Sequence, residues 1–395
     1  MALTLFCLLV LLMIIGVPIV FALIFAPIAG VWLEGRTVFL SMFPQRIFGG
    51  INQFPLLAIP MFILAGEVMN RGGITMRLVN FAKTLVGHFR GGLAHVNILS
   101  SLLFAGLSGS AVADTSALGS MLIPAMEKDG YTRRFAAAVT AASSVIGPII
   151  PPSIIMVVYA YIMGVSVGGL FAAGFVPGAM MAIGLMTMNA FISHRRQYPR
   201  ASQRAPLREV GSSFISAFLP LMTPVIILGG ILSGVFTPTE AAAAAVAYAL
   251  LISLFVTRTL PLREMPELLY RAGLTSASIL LVIGAATVFG WVTSLSGAPG
   301  VVTSLLTSVS ENPYVLLLLV NILLFIVGMF FDAGPAILIL GPLLAPTMQA
   351  LGVEPLHFAI VMCVNLTVGL ATPPMGLVLF TASSIGKVSI VEITR

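Results

Sequence analysis

With 395 residues, of which 59% are hydrophobic and 8% charged, and a mean hydropathy of +1.11, the chain cannot present the surface of a soluble domain. It reads as polytopic membrane protein nearly throughout. The formal charge of +6 does not mark a nucleic-acid binder, because lysine and arginine sit in short loops between apolar runs, where they set membrane orientation. No phosphate loop or run of zinc ligands appears, so nucleotide hydrolysis would have to come from another chain, and Cys7 and Cys363 stand alone in apolar surroundings.

In chain order, residues 2–30 read as one retained span, followed by a loop over 31–50 with Arg36 and Arg46 and a second span over about 51–69. Ile74, Leu78, Phe81 and Leu85, interleaved with Arg77 and Lys83, have the spacing of an amphipathic helix lying along the interface. A re-entrant hairpin is expected over 92–124, since neither arm can cross roughly 30 Å of hydrocarbon. A span broken by Gly and Pro-Pro follows over 135–163, then a span over 168–192 that closes a first repeat, 1–192. A basic loop occupies 193–212 and a linking span 213–234. In the second repeat, 235–395, "FTPTEA" opens a span with Thr237 or Thr239 as cap and Glu240 in the first turn. A span over 274–295, an amphipathic stretch through Val302 and Leu306, a second hairpin over 313–348 and a second broken span over 357–385 complete it.

The two repeats align without a gap at an offset of 222 positions. Gly106, Gly119, Pro124, Gly147, Pro151, Pro152 and Gly164 match Gly328, Gly341, Pro346, Gly369, Pro373, Pro374 and Gly386. Interrupted segments at corresponding places in two halves point to a transporter's binding site. The same offset calls for a further helix from about Ile390, running past Arg395. Placing the amino terminus in the cytoplasm puts 17 of the 19 Lys and Arg, Lys387 and Arg395 among them, on the inner side. The first hairpin then enters from the cytoplasm and the second from outside, so the repeats are inverted. The fold expected is an all-α polytopic membrane protein.

A hard cation such as sodium takes oxygen ligands, and unwound backbone supplies them inside a membrane without burying net charge. The oxygens so placed belong to Gly106, Ser108, Ser110, Gly147 and Pro148 in the first repeat and Gly328, Asp332, Gly369, Thr372 and Pro373 in the second, with Asp114 and Met375 beside them. Pro151, Pro152, Pro373 and Pro374 remove backbone donors and free carbonyls upstream. Asp114 and Asp332 are costly in hydrocarbon, so each is either part of a cation site or a capping carboxylate. Ser144, Ser153 and Asn365 are candidates to line a substrate cavity, although interhelical hydrogen bonding serves such residues equally well. No arginine falls within an expected span, so no carboxylate clamp is visible.

"AIPMFILAGEVMNRGG", "SGSAVADTSALGSMLIPAM", "IIPPSI", "FTPTEA" and "GLATPPMG", in this order over essentially the whole chain, resemble the large membrane subunit of tripartite ATP-independent periplasmic (TRAP) transporters. The resemblance implies sodium-coupled uptake of an organic acid such as a C4-dicarboxylate or sialic acid across the bacterial inner membrane, and no enzymatic activity. It also implies an elevator movement of hairpins and broken helices against a scaffold. As partners it implies a small four-helix membrane subunit and a soluble periplasmic substrate-binding protein. A one-component sodium-coupled dicarboxylate or citrate carrier is the alternative, an ion channel or membrane enzyme being disfavoured by the internal inverted repeat and the lack of a catalytic cluster. Arg36 and Arg46, with Glu311 and Glu354, are nearly all the charge expected on the outer face, so the two arginines either help dock the binding protein or anchor the interface.

Overall fold

The computed structural model describes residues 2–200, 203–310 and 312–394, and among these the chain is helical with no β-strand. Glu311 and Arg395, both used in the charge assignments, lie outside the described residues. Seven helices are long and apolar enough to cross a membrane among the described residues.

The opening apolar run is not one span but two helices, α1 (Ala2–Ile14) and α2 (Ile19–Leu33), folded back on each other. A Cβ at Gly30 would lie 3.8 Å from Leu5 Cδ1, whereas a continuous helix would hold these residues about 37 Å apart. The turn is set by Gly16 at φ +85° and by Pro18, which has no amide to donate. Hydropathy could not show the break, because both arms are uniformly apolar. Helix α3 (Phe43–Ile51) then occupies part of the stretch expected as loop, with Ile47 and Ile51 packed on Gly284. A kink at Asn52 and Gln53 leads to α4 (Ala58–Arg71), and α5 (Ile74–Val86) is the amphipathic helix, burying Ile74, Leu78 and Val79.

The first hairpin is α6 (Gly92–Ser108) and α7 (Ala111–Lys128). The broken span is α8 (Arg133–Ser144), an unwound stretch 145–153, and α9 (Ile154–Met163). Long spans α10 (Val167–Arg195) and α11 (Leu207–Leu232) follow. Helix α12 (Pro238–Leu251) begins with a full capping box between Thr237 and Glu240 and ends in a π-helical turn, Ile252–Val256. Then come α13 (Met265–Leu295), α14 (Ala298–Val309), and the second hairpin, α15 (Pro313–Phe330) with α16 (Ala333–Ala350). The second broken span is α17 (Pro355–Gly369), an unwound stretch 370–376, and α18 (Leu377–Gly386), and the described chain closes with the short α19 (Ile390–Ile393).

The halves interlock. Helix α18 packs on α7 and α8 of the first repeat, and α9 packs on α16 of the second. The exchange is symmetric at atomic detail: a Cβ at Gly119 would sit 3.6 Å from Ile385, and one at its equivalent Gly341 would sit 3.4 Å from Met163, the equivalent of Ile385. Hairpins and broken spans thus form one body, onto which α10 also packs. A second body is built from α1–α5 and α11–α13, with α13 lying against α2, α3 and α4, α12 against α4, and α11 against α5. The bodies meet where small residues allow close approach: a Cβ at Gly66 of α4 would lie 3.0 Å from the Leu107 carbonyl, and one at Gly106 of α6 would lie 3.0 Å from Pro224 of α11.

Contacts gather the basic loops at one end. Arg71 pairs with Glu264 at 3.3 Å, the Thr259 hydroxyl donates to the Gly72 carbonyl at 2.8 Å, and the Gly91 amide donates to the Pro199 carbonyl at 2.9 Å. Tyr198 stacks on Tyr131 with ring centres 4.6 Å apart. At the opposite end Arg46 lies over the Trp291 ring at 4.8 Å, with Phe39 edge-on to the same ring. Because α1 and α2 form a hairpin, Ala2 shares that end with Leu33 and Arg36.

Candidate functional site at the hairpin tips

The tip of the first hairpin is two residues, Gly109 and Ser110. Gly109 sits at φ +58°, and a Cβ there would run into the Pro152 carbonyl, so the turn needs a residue without one. Ser110 caps α7 by accepting from the Ala113 amide at 3.4 Å, and its own amide donates to Ser108 Oγ at 3.3 Å. Ser108 Oγ donates to Asp114 Oδ1. Asp114 is fully buried, and its Oδ2 has no hydrogen-bond partner among the described residues. A Cβ at Gly147, in the unwound stretch, would collide with that same oxygen. Leaving a buried carboxylate oxygen unpaired costs on the order of 1–3 kcal/mol. A cation seated between Asp114 and freed carbonyls of the unwound stretch would remove that cost, so these residues fit such an ion.

The second tip is Phe331 and Asp332. Asp332 caps α16, accepting from the Ala333 amide at 2.9 Å. Gly328 and Gly369 let the hairpin and the broken span touch backbone to backbone, and the Gly376 amide donates to the Met329 carbonyl at 2.9 Å. Thr372 Oγ1 donates to the Val368 carbonyl at 2.9 Å, which leaves its lone pairs free to accept or to ligate. Pro373 and Met375 are exposed. No cluster of three or more His, Cys, Asp or Glu occurs among the described residues, so any cation here is held mainly by carbonyls and hydroxyls.

Both tips open on one cavity of about 370 Å³. Ser110, Pro148 and Ile154 line it from the first repeat, Asp332, Ala333 and Leu370 from the second, and Ser278 and Ile279 from α13. Its wall is chiefly aliphatic, no basic side chain lines it, and Ser110, Ser278 and Asp332 supply its side-chain oxygens. The residues expected to line a substrate cavity are placed elsewhere. Ser144 is buried and donates to the Thr140 carbonyl at 2.7 Å; Ser153 donates to the Pro148 carbonyl and caps α9. Asn365 donates to Asn321 Oδ1 at 2.5 Å and the Val361 carbonyl at 2.7 Å. The α13 contribution carries no sequence signal: Ser278 lies in an ordinary apolar span and gains its position from how α13 packs against α16.

Two hairpins, two broken spans and one shared cavity define a membrane transport protein built on an inverted repeat. In keeping with this, the family model described as the DctM component of the tripartite ATP-independent periplasmic transporter matches residues 6–395, and the chain belongs to that family. It is 44% identical to the sialic acid TRAP transporter large permease protein SiaM of Vibrio cholerae, over 96% of this chain and 88% of that one. It is 38% identical to the C4-dicarboxylate large permease DctM of Rhodobacter capsulatus, over 100% and 92% of the two chains. The same figure holds for the 2,3-diketo-L-gulonate large permease YiaN of Escherichia coli, over 96% and 89%. Among solved structures the fold resembles the YdaH transporter of Alcanivorax borkumensis, with a TM-score of 0.61 at 15% identity over 91% of this chain and 84% of that one.

Proposed function

We propose that the chain is the substrate-translocating subunit of a sodium-coupled uptake system for a small organic acid. It works with a small membrane subunit and a soluble binding protein in the bacterial inner membrane. The observation that carries this reading is the buried, unpaired Asp114 oxygen facing an unwound backbone stretch beside the shared cavity. Sodium entering at that point neutralises the carboxylate, and each charge crossing 100 mV contributes about 2.3 kcal/mol. Because no basic side chain lines the cavity, the substrate's negative charge is balanced by the co-transported cation and by backbone amides rather than by an arginine. The interlocked hairpin body moves against the α1–α5 and α11–α13 body as an elevator, along an interface that includes Gly66 and Gly106.

We read the basic end as cytoplasmic, and on that reading α1 starts and α2 ends toward the outer side, where a single first span would start inside. Arg46 is held over Trp291, so of the two outer arginines Arg36 is the freer to meet a binding protein. The test is uptake by proteoliposomes holding the chain with its small subunit, with sialic acid, succinate and 2,3-diketogulonate as trial substrates. Uptake should require a sodium gradient and the cognate binding protein. Undiminished uptake with potassium in place of sodium overturns the coupling, and full uptake without the binding protein replaces this reading with a one-component carrier.

A further inference from the structure

Another cavity, of about 620 Å³, lies at the basic end between α5, α11 and residues 203–206. Arg77, Lys83 and Arg204 line it with one acid, Glu209, and it also holds Asn80, His88 and Ser213. None of the three cations makes an ion pair within 4 Å among the described residues, although Lys83 and Asp129 interact at longer range. His88 Nδ1 is buried without a hydrogen-bond partner among the described residues. The pocket is braced by the Thr84 hydroxyl against Ser213 Oγ at 2.9 Å. Three cations against one acid, with an unsatisfied imidazole nitrogen, make a receptor for an anion carrying several oxygens, as a phosphate does.

An apolar track begins on the same helices. Phe81 of α5 packs on Phe214 of α11 with ring centres 5.6 Å apart, and Phe214 packs on Phe218 one turn further along at 5.9 Å. Phe214 and Phe218 are 44% and 43% exposed, and Ile215 beside them is 73% exposed. A soluble phosphate has no use for this surface, whereas a phospholipid presents its headgroup to a basic interfacial pocket and its acyl chains to the apolar helix face below. The ring ladder runs from the pocket toward the span, as that ligand requires.

We propose that the α5–α11 pocket is a binding site for the phosphate of an anionic phospholipid, whose chains lie along Phe214 and Phe218. The amphipathic helix and the span it packs on are then held together by lipid as well as by protein contacts.

The test uses the full chain in nanodiscs of equal parts phosphatidylglycerol and phosphatidylcholine, with lipids retained after transfer to detergent counted by native mass spectrometry. The wild type should retain phosphatidylglycerol preferentially. Arg77→Gln with Arg204→Gln should lower that preference by roughly 5-fold for each cation removed, leaving phosphatidylcholine retention unchanged. Arg204→Gln alone, at an exposed position, guards against a folding defect in the pair. Arg258→Gln with Arg263→Gln, at the same end but outside the pocket, should leave retention intact. Equal retention by the wild type and the Arg77/Arg204 variant overturns the site, as does an equal loss in the Arg258/Arg263 variant. Millimolar glycerol 3-phosphate should not displace the lipid; if it does, the pocket is a soluble-phosphate site and the lipid assignment is wrong.

Discussion

The two hairpin units descend from one pattern and have become unlike in burial. In the first, the whole unwound stretch 145–153 is buried and faces Asp114. In the second, Pro373, Pro374 and Met375 are exposed, and the position equivalent to Asp114 is Ala336. The carboxylate of the second unit sits four residues earlier in register: Asp332 aligns with Ser110, and each caps the second arm of its hairpin. The cap is therefore common to both tips, while the buried charge is particular to the first. A cation at the first tip meets a full carboxylate in a low-dielectric site, and one at the second meets mainly carbonyls and the Thr372 hydroxyl. The first site should bind more tightly, and the second should exchange more readily with water.

The sharpest way to break this comparison is Asp114→Asn, which keeps the shape and removes the charge. Sodium-driven uptake should fall by more than about 10-fold, since a hydrogen bond to a charged group contributes roughly 1.5–3 kcal/mol. Unchanged uptake with normal sodium dependence would remove Asp114 from the ion site. Next in size is a glycine pair. Gly147→Ala pushes a methyl into Asp114 Oδ2, whereas Gly334→Ala places one 3.8 Å from Asp332 Oδ2. The first should cost about 1–3 kcal/mol in stability or a comparable loss of sodium affinity, and the second should be close to neutral in thermal unfolding and uptake. Equal effects would show that the two tips are equally tight.

Thr372→Val removes one hydroxyl at nearly constant volume from the more open unit. The sodium concentration for half-maximal uptake should rise by roughly 2- to 10-fold, as expected for about 0.5–1.5 kcal/mol, with folding little changed. An unaltered sodium titration would exclude Thr372 as a ligand. The smallest effect is expected from Ser278→Ala on α13, which touches the cavity but neither tip. It should alter apparent substrate affinity a few-fold and leave sodium dependence alone; a shift in the sodium curve instead would place Ser278 with the ion.

The repeat, both interruptions, the hairpin positions and a cap at Thr237 or Thr239 are legible in the sequence, because glycine, proline and capping side chains act locally on backbone geometry. Local signals do not report what packs against what. In residues 2–33 Gly16 and Pro18 mark a local break, but the run is apolar on both sides of it, and the Leu5–Gly30 contact is what separates a hairpin from one kinked span. Ser144, Ser153 and Asn365 are polar residues beside the breaks, yet each is engaged in a hydrogen bond, the two serines to carbonyls nearby in the chain and Asn365 to Asn321, and none of the three lines the cavity. Ser143 and Asn365 occupy equivalent positions, and each bridges the first arm of its hairpin to the following broken span, through Ser101 at 2.9 Å and Asn321 at 2.5 Å. The orphaned oxygen of Asp114 and the presence of α13 in the cavity wall were likewise decided only by the tertiary structure. The sequence by itself determined where the chain must unwind, because that is settled within a few residues by missing donors and missing Cβ atoms. Which unwound stretch buries a charge, and what closes the cavity over it, depends on contacts between elements far apart in the chain.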